Sequence, residues 1–291
     1  GTANEGGVPR ELEVIVVYGE KRERNLREVP SSISVIGAED LELLPGRSLA
    51  DAATLVPNMI VQNQGGRTST YFYSRGIGRS ELNFPIVSVN VNGIALPDPS
   101  FFGLDIDAAE QVEFLRGPQG TLYGQNTLGG VVNIELQKPG EVPAGSADIY
   151  FGERGYRESA LRFESPLAGK STRAAATLFW NDIDGFIDNV TTGRPQNSER
   201  TLGGSVLVVA EPTEALDVEL NYFGQDRSDG LGQFPQAGDL FSLANAAPTE
   251  EEARSHVVGL EFRYDLGGVR LESHTGVSRI DRFTQNELDF S

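Results

Sequence analysis

Five glycines, Gly117, Gly120, Gly124, Gly129 and Gly130, lie between Arg116 and Val131. A glycine-rich loop can cradle a phosphate when its backbone amides converge at a helix N-terminus. That chemistry needs either Gly, four residues and Gly-Lys-Ser/Thr, or Gly-x-Gly-x-x-Gly between a strand and a helix. Neither spacing occurs, and the glycines run directly into the apolar stretch Val131 to Leu136. They indicate instead a tightly folded connection between two strands, with backbone passing close to backbone. Asp105 and Asp107 are spaced so that they could share a metal ion, yet Asp107 directly precedes Ala108-Ala109-Glu110 and reads more simply as a helix N-cap. His256 and His274 stand far apart in alternating segments, as wall residues would, with no His-Glu-x-x-His or Gly-x-Ser-x-Gly in the chain. Cysteine is absent, which removes thiolate ligands and a thiol nucleophile. No catalytic residue, metal site or cofactor is expected, and the chain does not read as an enzyme.

The elements that would position any site must come from an acidic, glycine-rich chain. The formal charge is 24 − 42 = −18, which disfavours nucleic acid or an anionic lipid surface as partner. Hydrophobic residues make up 38%, and no run approaches the roughly 18 apolar residues of a membrane-spanning helix, so the only membrane architecture left open is a β-barrel. The chain starts Gly-Thr-Ala-Asn-Glu with no Met, basic region or apolar core, as expected for a mature form whose leader has been removed. Residues 1 to 11 read as a disordered arm.

Two apolar-alternating strands, centred on Val112 to Leu115 and Val131 to Leu136, flank the glycine loop. The block from Glu110 to Leu136 contains Val112-Glu113, Arg116-Gly117-Pro118, Tyr123-Gly124 and Gly129-Gly130-Val131-Val132-Asn133-Ile134. In that order and spacing it resembles the signature of the plug domain of TonB-dependent outer-membrane receptors. The resemblance implies a fold of two parts, an α+β plug followed by an antiparallel transmembrane β-barrel. It divides the chain into an N-terminal arm (1–27), a plug (28–140) and the N-terminal part of a barrel (141–291). Within the plug, strands are expected at Ser31 to Ile36, Met59 to Gln64, Thr70 to Arg75 and Val87 to Asn92, with a turn at Asn92-Gly93. Ala38 to Leu44 reads as a short helix, and Ser48-Leu49-Ala50-Asp51 as the capping-box start of another that Pro57 stops.

Beyond the breaker-rich joint Lys138 to Gly145, the texture changes to long alternating strands. Leu216, Val218, Leu220 and Tyr222 fall on one face, against Asp217, Glu219, Asn221 and Gln225 with Phe223 on the other. Val258, Leu260, Phe262 and Tyr264 likewise oppose Gly259, Glu261, Arg263 and Asp265. Such polar faces cannot pack on a second sheet but suit a wet barrel lumen. Seven strands are expected, at about 146–152, 156–165, 172–182, 200–210, 215–226, 254–266 and 268–281. Brief turns at Pro166 to Ser171, Glu211 to Glu214 and Gly267-Gly268 alternate with long loops at Ile183 to Glu199 and Arg227 to Ala253, the asymmetry of an outer-membrane barrel with its long loops outside. Glu153 to Gly155 is an unusually short connection on that outer side. Seven strands cannot enclose a plug of this size, and the resemblance implies 22. The chain therefore reads as the N-terminal part of a longer protein.

Function follows from the same resemblance. Glu13-Val14-Ile15-Val16-Val17-Tyr18 is similar to the TonB box, which adds as a strand to the periplasmic protein TonB; from the residues alone, Val14 to Val17 could equally be the first internal strand of the plug. The implied partners are TonB with the inner-membrane ExbB and ExbD, outer-membrane lipid and lipopolysaccharide, and a small ligand, foremost a ferric siderophore, with cobalamin, haem and oligosaccharide behind it. Ligand contacts are expected from outward plug loops: Arg67; Arg79, Asn83 and Phe84; and Asp98, Phe101 and Phe102, although the two phenylalanines could instead fill the seam between plug and wall. Arg75 and Arg116 match plug arginines that pair with barrel glutamates in the family. Asp226, Asp229, Asp239 and Glu250 to Glu252 are expected to face solvent on the longest loop. A surface receptor or adhesin that binds without transporting is the alternative. It requires no energised inner membrane and no function for residues 13 to 18.

Overall fold

The structure is a computed structural model that describes residues 16–19, 24–26, 31–44, 46–63, 66–77, 85–96, 98, 102–193, 195–231, 242–244 and 249–285. The expected disordered arm, and Glu13, Val14 and Ile15 of the β-branched segment, lie outside the described residues.

A short hairpin opens the chain, β1 (Val16–Val17) paired with β2 (Arg24–Asn25). The plug proper contains β3 (Ser32–Gly37), α1 (Ala38–Glu42), α2 (Leu49–Thr54), β4 (Met59–Asn63), β5 (Thr70–Ser74), β6 (Val87–Val91), β7 (Ile94–Leu96), β8 (Ala109–Arg116), α3 (Gly120–Tyr123) and β9 (Gly130–Leu136). Its main sheet runs β3-β8-β9-β6-β7, with β6 and β9 parallel. Ser48 and Asp51 form the expected capping box and fix the start of α2. One sheet face carries Val89, Val91, Val112, Phe114, Val132 and Ile134, which join Leu41 of α1 and Leu49, Ala52 and Ala53 of α2 in the core. The opposite face carries a polar row, Asn90, Asn133 and Glu113, from three adjacent strands. No helix follows Asp107. Ala109 already belongs to β8, because Val112 and Phe114 alternate and are paired on both sides, by β3 and by β9. The helix propensity of Ala108-Ala109-Glu110 yields to that pairing, and the N-cap reading of Asp107 is overturned.

The second part is one antiparallel sheet of seven strands in chain order: β10 (Ala144–Phe151), β11 (Arg157–Ala168), β12 (Thr172–Ile183), β15 (Glu199–Thr213), β16 (Leu216–Gly230), β18 (Glu250–Asp265) and β19 (Arg270–Gln285). The expected strands all form; β16, β18 and β19 run four residues past their expected outer ends, whereas β10 and β11 stop one residue short of theirs. Three short strands, β13 (Ile187–Asn189), β14 (Pro195–Gln196) and β17 (Ser242–Leu243), make a small sheet from the two long loops. On β16 the plug-facing residues Glu219, Asn221, Phe223, Gln225, Arg227 and Asp229 are buried, whereas Leu220 and Tyr222 are open to the outside.

The outward face also records how the strands tilt. Its first apolar residue below the charged rim is Phe151 on β10, Leu161 on β11, Trp180 on β12, Leu202 on β15, Tyr222 on β16, Val258 on β18 and Val277 on β19, where Phe283 stands above the rim. The register carries the row of Phe151 through Arg157, Asp182, Arg200, Ser228, Glu252 and Phe283; Leu161 sits four residues below that row, Trp180 and Leu202 two, Tyr222 and Val258 six, and Val277, on the last strand, six. Six residues along a strand are about 20 Å, and six strand spacings are about 29 Å, giving a slope of about 35°. A level hydrocarbon boundary crossing a tilted barrel wall produces that staircase, since transmembrane strands tilt by roughly 35–45°. Ion pairs ride just above it, Arg200 with the buried Asp182 at 2.8 Å and the exposed pair Arg254 with Asp226 at 2.9 Å.

Candidate functional site

The plug is held to the wall by two buried charge clusters. In the first, the turn Arg67–Ser69 inserts Arg67 between plug and barrel. Its Nε and Nη2 donate to the two oxygens of Asp229 at 2.8 and 2.6 Å, and Nη1 donates to Asp105 at 2.9 Å. Nη2 also donates to Thr201 Oγ1 at 2.9 Å, and Thr201 in turn donates to Asp105 at 2.5 Å. Burial alone would lower the pKa of Arg67; Asp105 and Asp229 outweigh it and hold the guanidinium above its ordinary value. Beside it, the Thr68 amide donates to Glu251 at 2.8 Å and the Thr68 hydroxyl donates to the other oxygen of the same carboxylate. Asp229 and Glu251 stand near the facing ends of β16 and β18, the two stems of the longest loop.

In the second cluster, Arg47 lies 3.0 Å from Glu158 of β11 and 3.7 Å from Asp107, with its guanidinium 4.5 Å above the Tyr150 ring. Asn181 of β12 donates to Asp107 at 3.3 Å. Burial, then the neighbouring Asp105 and Glu158 carboxylates, push the Asp107 carboxyl up to about 7. Asp105 thus accepts from the arginine of the first cluster, and Asp107 stands beside the arginine of the second without a hydrogen bond from it.

Several expected contacts take other roles here. Arg67 has 7% of its surface exposed and spends its donors on the wall, so it is not an open ligand contact. Phe102 is 2% exposed with its ring 5.3 Å from Phe72, and it fills the seam rather than facing a ligand. Asp98 is half-buried. Arg79, Asn83, Phe84, Phe101 and Asp239 lie outside the described residues. Arg75 is exposed at a left-handed turn, φ 52°, and Arg116 donates to the Pro57 carbonyl at 2.9 Å; among the described residues neither meets a carboxylate. Asp229 and Glu251 are buried, against the expectation of solvent-facing loop residues, because the strands run past the expected ends. His256 accompanies Tyr222 on the outward face at 2.9 Å, and His274 faces the plug 3.5 Å from Glu261. Arg47 was not foreseen as functional, because its partners come from β11 and from a plug segment sixty residues away, and only the inward parity of Glu158 in its strand could have signalled it.

The described part of the β-branched segment is docked under the plug's polar row. Val17 is fully buried, the Tyr18 amide donates to Glu113 at 2.7 Å, and Gln111 donates to the Val16 carbonyl at 3.1 Å. Lys138 contacts the Tyr18 hydroxyl at 3.2 Å and lies 4.7 Å from its ring centre. Burial raises the Glu113 carboxyl above its usual range, opposed by the Tyr18 amide and Asn133.

Residues 25–131 match the TonB-dependent Receptor Plug Domain family. The chain is 26% identical, over 88% of its length, to an iron-regulated outer membrane virulence protein of Vibrio cholerae serotype O1 (Classical Ogawa 395), and 29% identical, over 60%, to the vitamin B12 transporter BtuB of Photobacterium profundum. These matches cover 40% and 31% of the two relatives, so the chain spans less than half the length of either. Among solved structures it resembles the ferric yersiniabactin uptake receptor FyuA of Yersinia pestis with a TM-score of 0.79 at 19% identity, covering 87% of this chain and 41% of that one. A plug signature read in sequence, a plug seated against a tilted wall, and a match to the family model over the same residues lead to one assignment: residues 25–131 are a TonB-dependent receptor plug domain, followed by seven strands in the fold of the receptor barrels that the chain resembles.

Proposed function

We propose that the chain is the plug-bearing part of an energy-dependent importer in the outer membrane of a Gram-negative bacterium. A scarce ligand binds between the outward plug loops and the extracellular loops, TonB with ExbB and ExbD pulls on residues 13–18, and the plug is remodelled to open a path. No catalytic step is involved. The observation that carries this reading is the seating of the plug: its outer turns are bound to wall strands through Arg47 and Arg67, while its N-terminal segment hangs from the opposite side of the sheet through Gln111 and Glu113. Force on that segment reaches the sheet first, and the least stable part of a structure opens first. The ligand is a ferric siderophore, by analogy with relatives described as iron-regulated and as a ferric yersiniabactin receptor; cobalamin, suggested by the BtuB relative, is the other outcome. Arg79, Asn83, Phe84, Asp98 and Phe101 remain the proposed contacts. Arg75 and Arg116 are proposed to pair with carboxylates of barrel strands outside this sequence. Lipid and lipopolysaccharide surround the outward belt.

Replacing Val16 with proline removes a backbone donor from the strand that TonB would add. Ligand binding should persist while uptake is lost. Growth of a deletion strain under iron limitation with a panel of chelates names the ligand, through the one chelate whose use is lost. Unchanged uptake by Val16→Pro sinks the mechanism.

A further inference from the structure

A partner strand needs a free edge, and the described part of the N-terminal segment has none. One side of Val16–Val17 is already paired with Arg24–Asn25. On an extended chain the carbonyl of residue i and the amide of residue i+2 project to the same side. Val16 and Tyr18 are such a pair, and both groups are taken by side chains of β8: the Gln111 amide donates to the Val16 carbonyl at 3.1 Å, and the Glu113 carboxylate accepts from the Tyr18 amide at 2.7 Å. Gln111 and Glu113 are themselves two residues apart on one face of a strand, about 7 Å, so their spacing repeats that of their targets. Gln111 also donates to Glu113 at 2.8 Å, which fixes the two caps relative to each other.

The far side of Glu113 is anchored. Asn133 donates to its second oxygen at 3.3 Å and to the Tyr123 hydroxyl at 3.0 Å, and that hydroxyl donates to the Gly19 carbonyl at 3.0 Å, closing a ring around the segment. The backbone lies so near the sheet that a Cβ on Gly19 would sit 2.7 Å from Leu115.

We infer that Gln111 and Glu113 act as a surrogate strand, offering one donor and one acceptor in place of a β-partner, so that the edge needed for strand addition stays capped until these two side chains let go. This rests on the reading of residues 13–18 as the TonB-binding segment. Its specific content is that the cap is made of two side chains, and that removing them uncovers the edge without any ligand.

The absence of native cysteine from this sequence makes a direct test possible, in the full receptor carried in outer membranes and cleared of any cysteine beyond residue 291. Reaction of a water-soluble maleimide is timed at Val17→Cys and, separately, at Val89→Cys, a core position that reports whether the plug stays folded. The readout is the ratio of the two rates. It should rise at least tenfold in Gln111→Ala/Glu113→Ala and by a smaller factor in Gln111→Ala, which removes a partly exposed residue and leaves the core intact. A ratio within twofold of the parent in both variants overturns the cap. The purified periplasmic domain of TonB should bind the uncapped receptor more tightly by the same factor as the gain in labelling. A labelling gain with no TonB binding to either form retires the TonB assignment of residues 13–18 and leaves the cap standing.

Discussion

Replacing Arg67 with alanine should loosen the plug more than any other single charge removal outside the second cluster. Two carboxylates whose side chains are 3% and 4% exposed, Asp105 and Asp229, would keep their burial and lose their bidentate cation. Removing one partner of a buried ion pair costs about 3–5 kcal/mol, because the remaining charge keeps its burial and loses its hydrogen-bonded cation. An exposed pair such as Arg254 with Asp226, 61% and 54% exposed, is worth less than about 1 kcal/mol, so Arg254→Ala serves as the control. The assay is labelling of a Val89→Cys reporter over a urea series, where the rate follows the population of the opened plug. Arg67→Ala should raise that rate by roughly 10² to 10⁴ at fixed urea, since each 1.4 kcal/mol is tenfold. Arg67→Lys should fall between, because an ammonium is a point charge that serves one carboxylate where the planar guanidinium spans two. An Arg67→Ala effect below tenfold, or equal to that of Arg254→Ala, refutes the idea that this cluster anchors the plug.

Three further outcomes follow from the same geometry. The Asp107 carboxyl titrates near 7 in the folded seam against 3.8 when free, so the stability it contributes is full below about 4 and is lost as pH rises through about 7. Plug opening should therefore increase between about pH 4 and 7, with a steepness of at most ~1.4 kcal/mol per unit from this group, and level off above that, and Asp107→Asn should flatten that portion of the profile. Gly130 has φ 149°, and a Cβ there would lie 2.2 Å from the Leu115 carbonyl oxygen, so Gly130→Ala must break the end of the β8–β9 ladder and should destabilise the plug by about 2–4 kcal/mol in the same reporter assay. Leu220→Arg places a cation on the outward belt and should cost about 2–4 kcal/mol of barrel stability on refolding into bilayers, whereas a charge at the plug-facing neighbour Asn221 is judged by its fit to the plug rather than by lipid.

The parts of the molecule that were legible in sequence are those in which one strand carries the whole signal. Alternation between Leu216 and Tyr222 reveals both the strand and its two environments, since lipid and lumen differ in polarity and the period is two. Ser48 with Asp51 identifies a helix start because both partners lie within one turn. The glycine loop announces the plug, although the single turn α3 inside it was not visible, its Gly-Thr-Leu-Tyr having no apolar period of its own. What stayed hidden is what depends on two distant segments meeting. Arg67 presents the same residue type whether it reaches a ligand or Asp229, 162 positions away; outward polarity favoured the first and the buried acceptors decide for the second. Asp107 failed as a cap for a related reason, because Ala108-Ala109-Glu110 prefers a helix locally while β3 and β9 together supply two ladders to the strand. The docked segment combines both cases. Its β-branched run showed an edge strand, but nothing within residues 13–18 could show that the edge is covered, because the covering groups are side chains on a strand 95 residues further on. A strand-binding sequence and an accessible strand edge are therefore separate properties. Here Gln111 and Glu113, inside the very motif through which the plug is recognised, hold the Val16 carbonyl and the Tyr18 amide, so under the inference above the surface that defines the fold would also be the surface that withholds the segment.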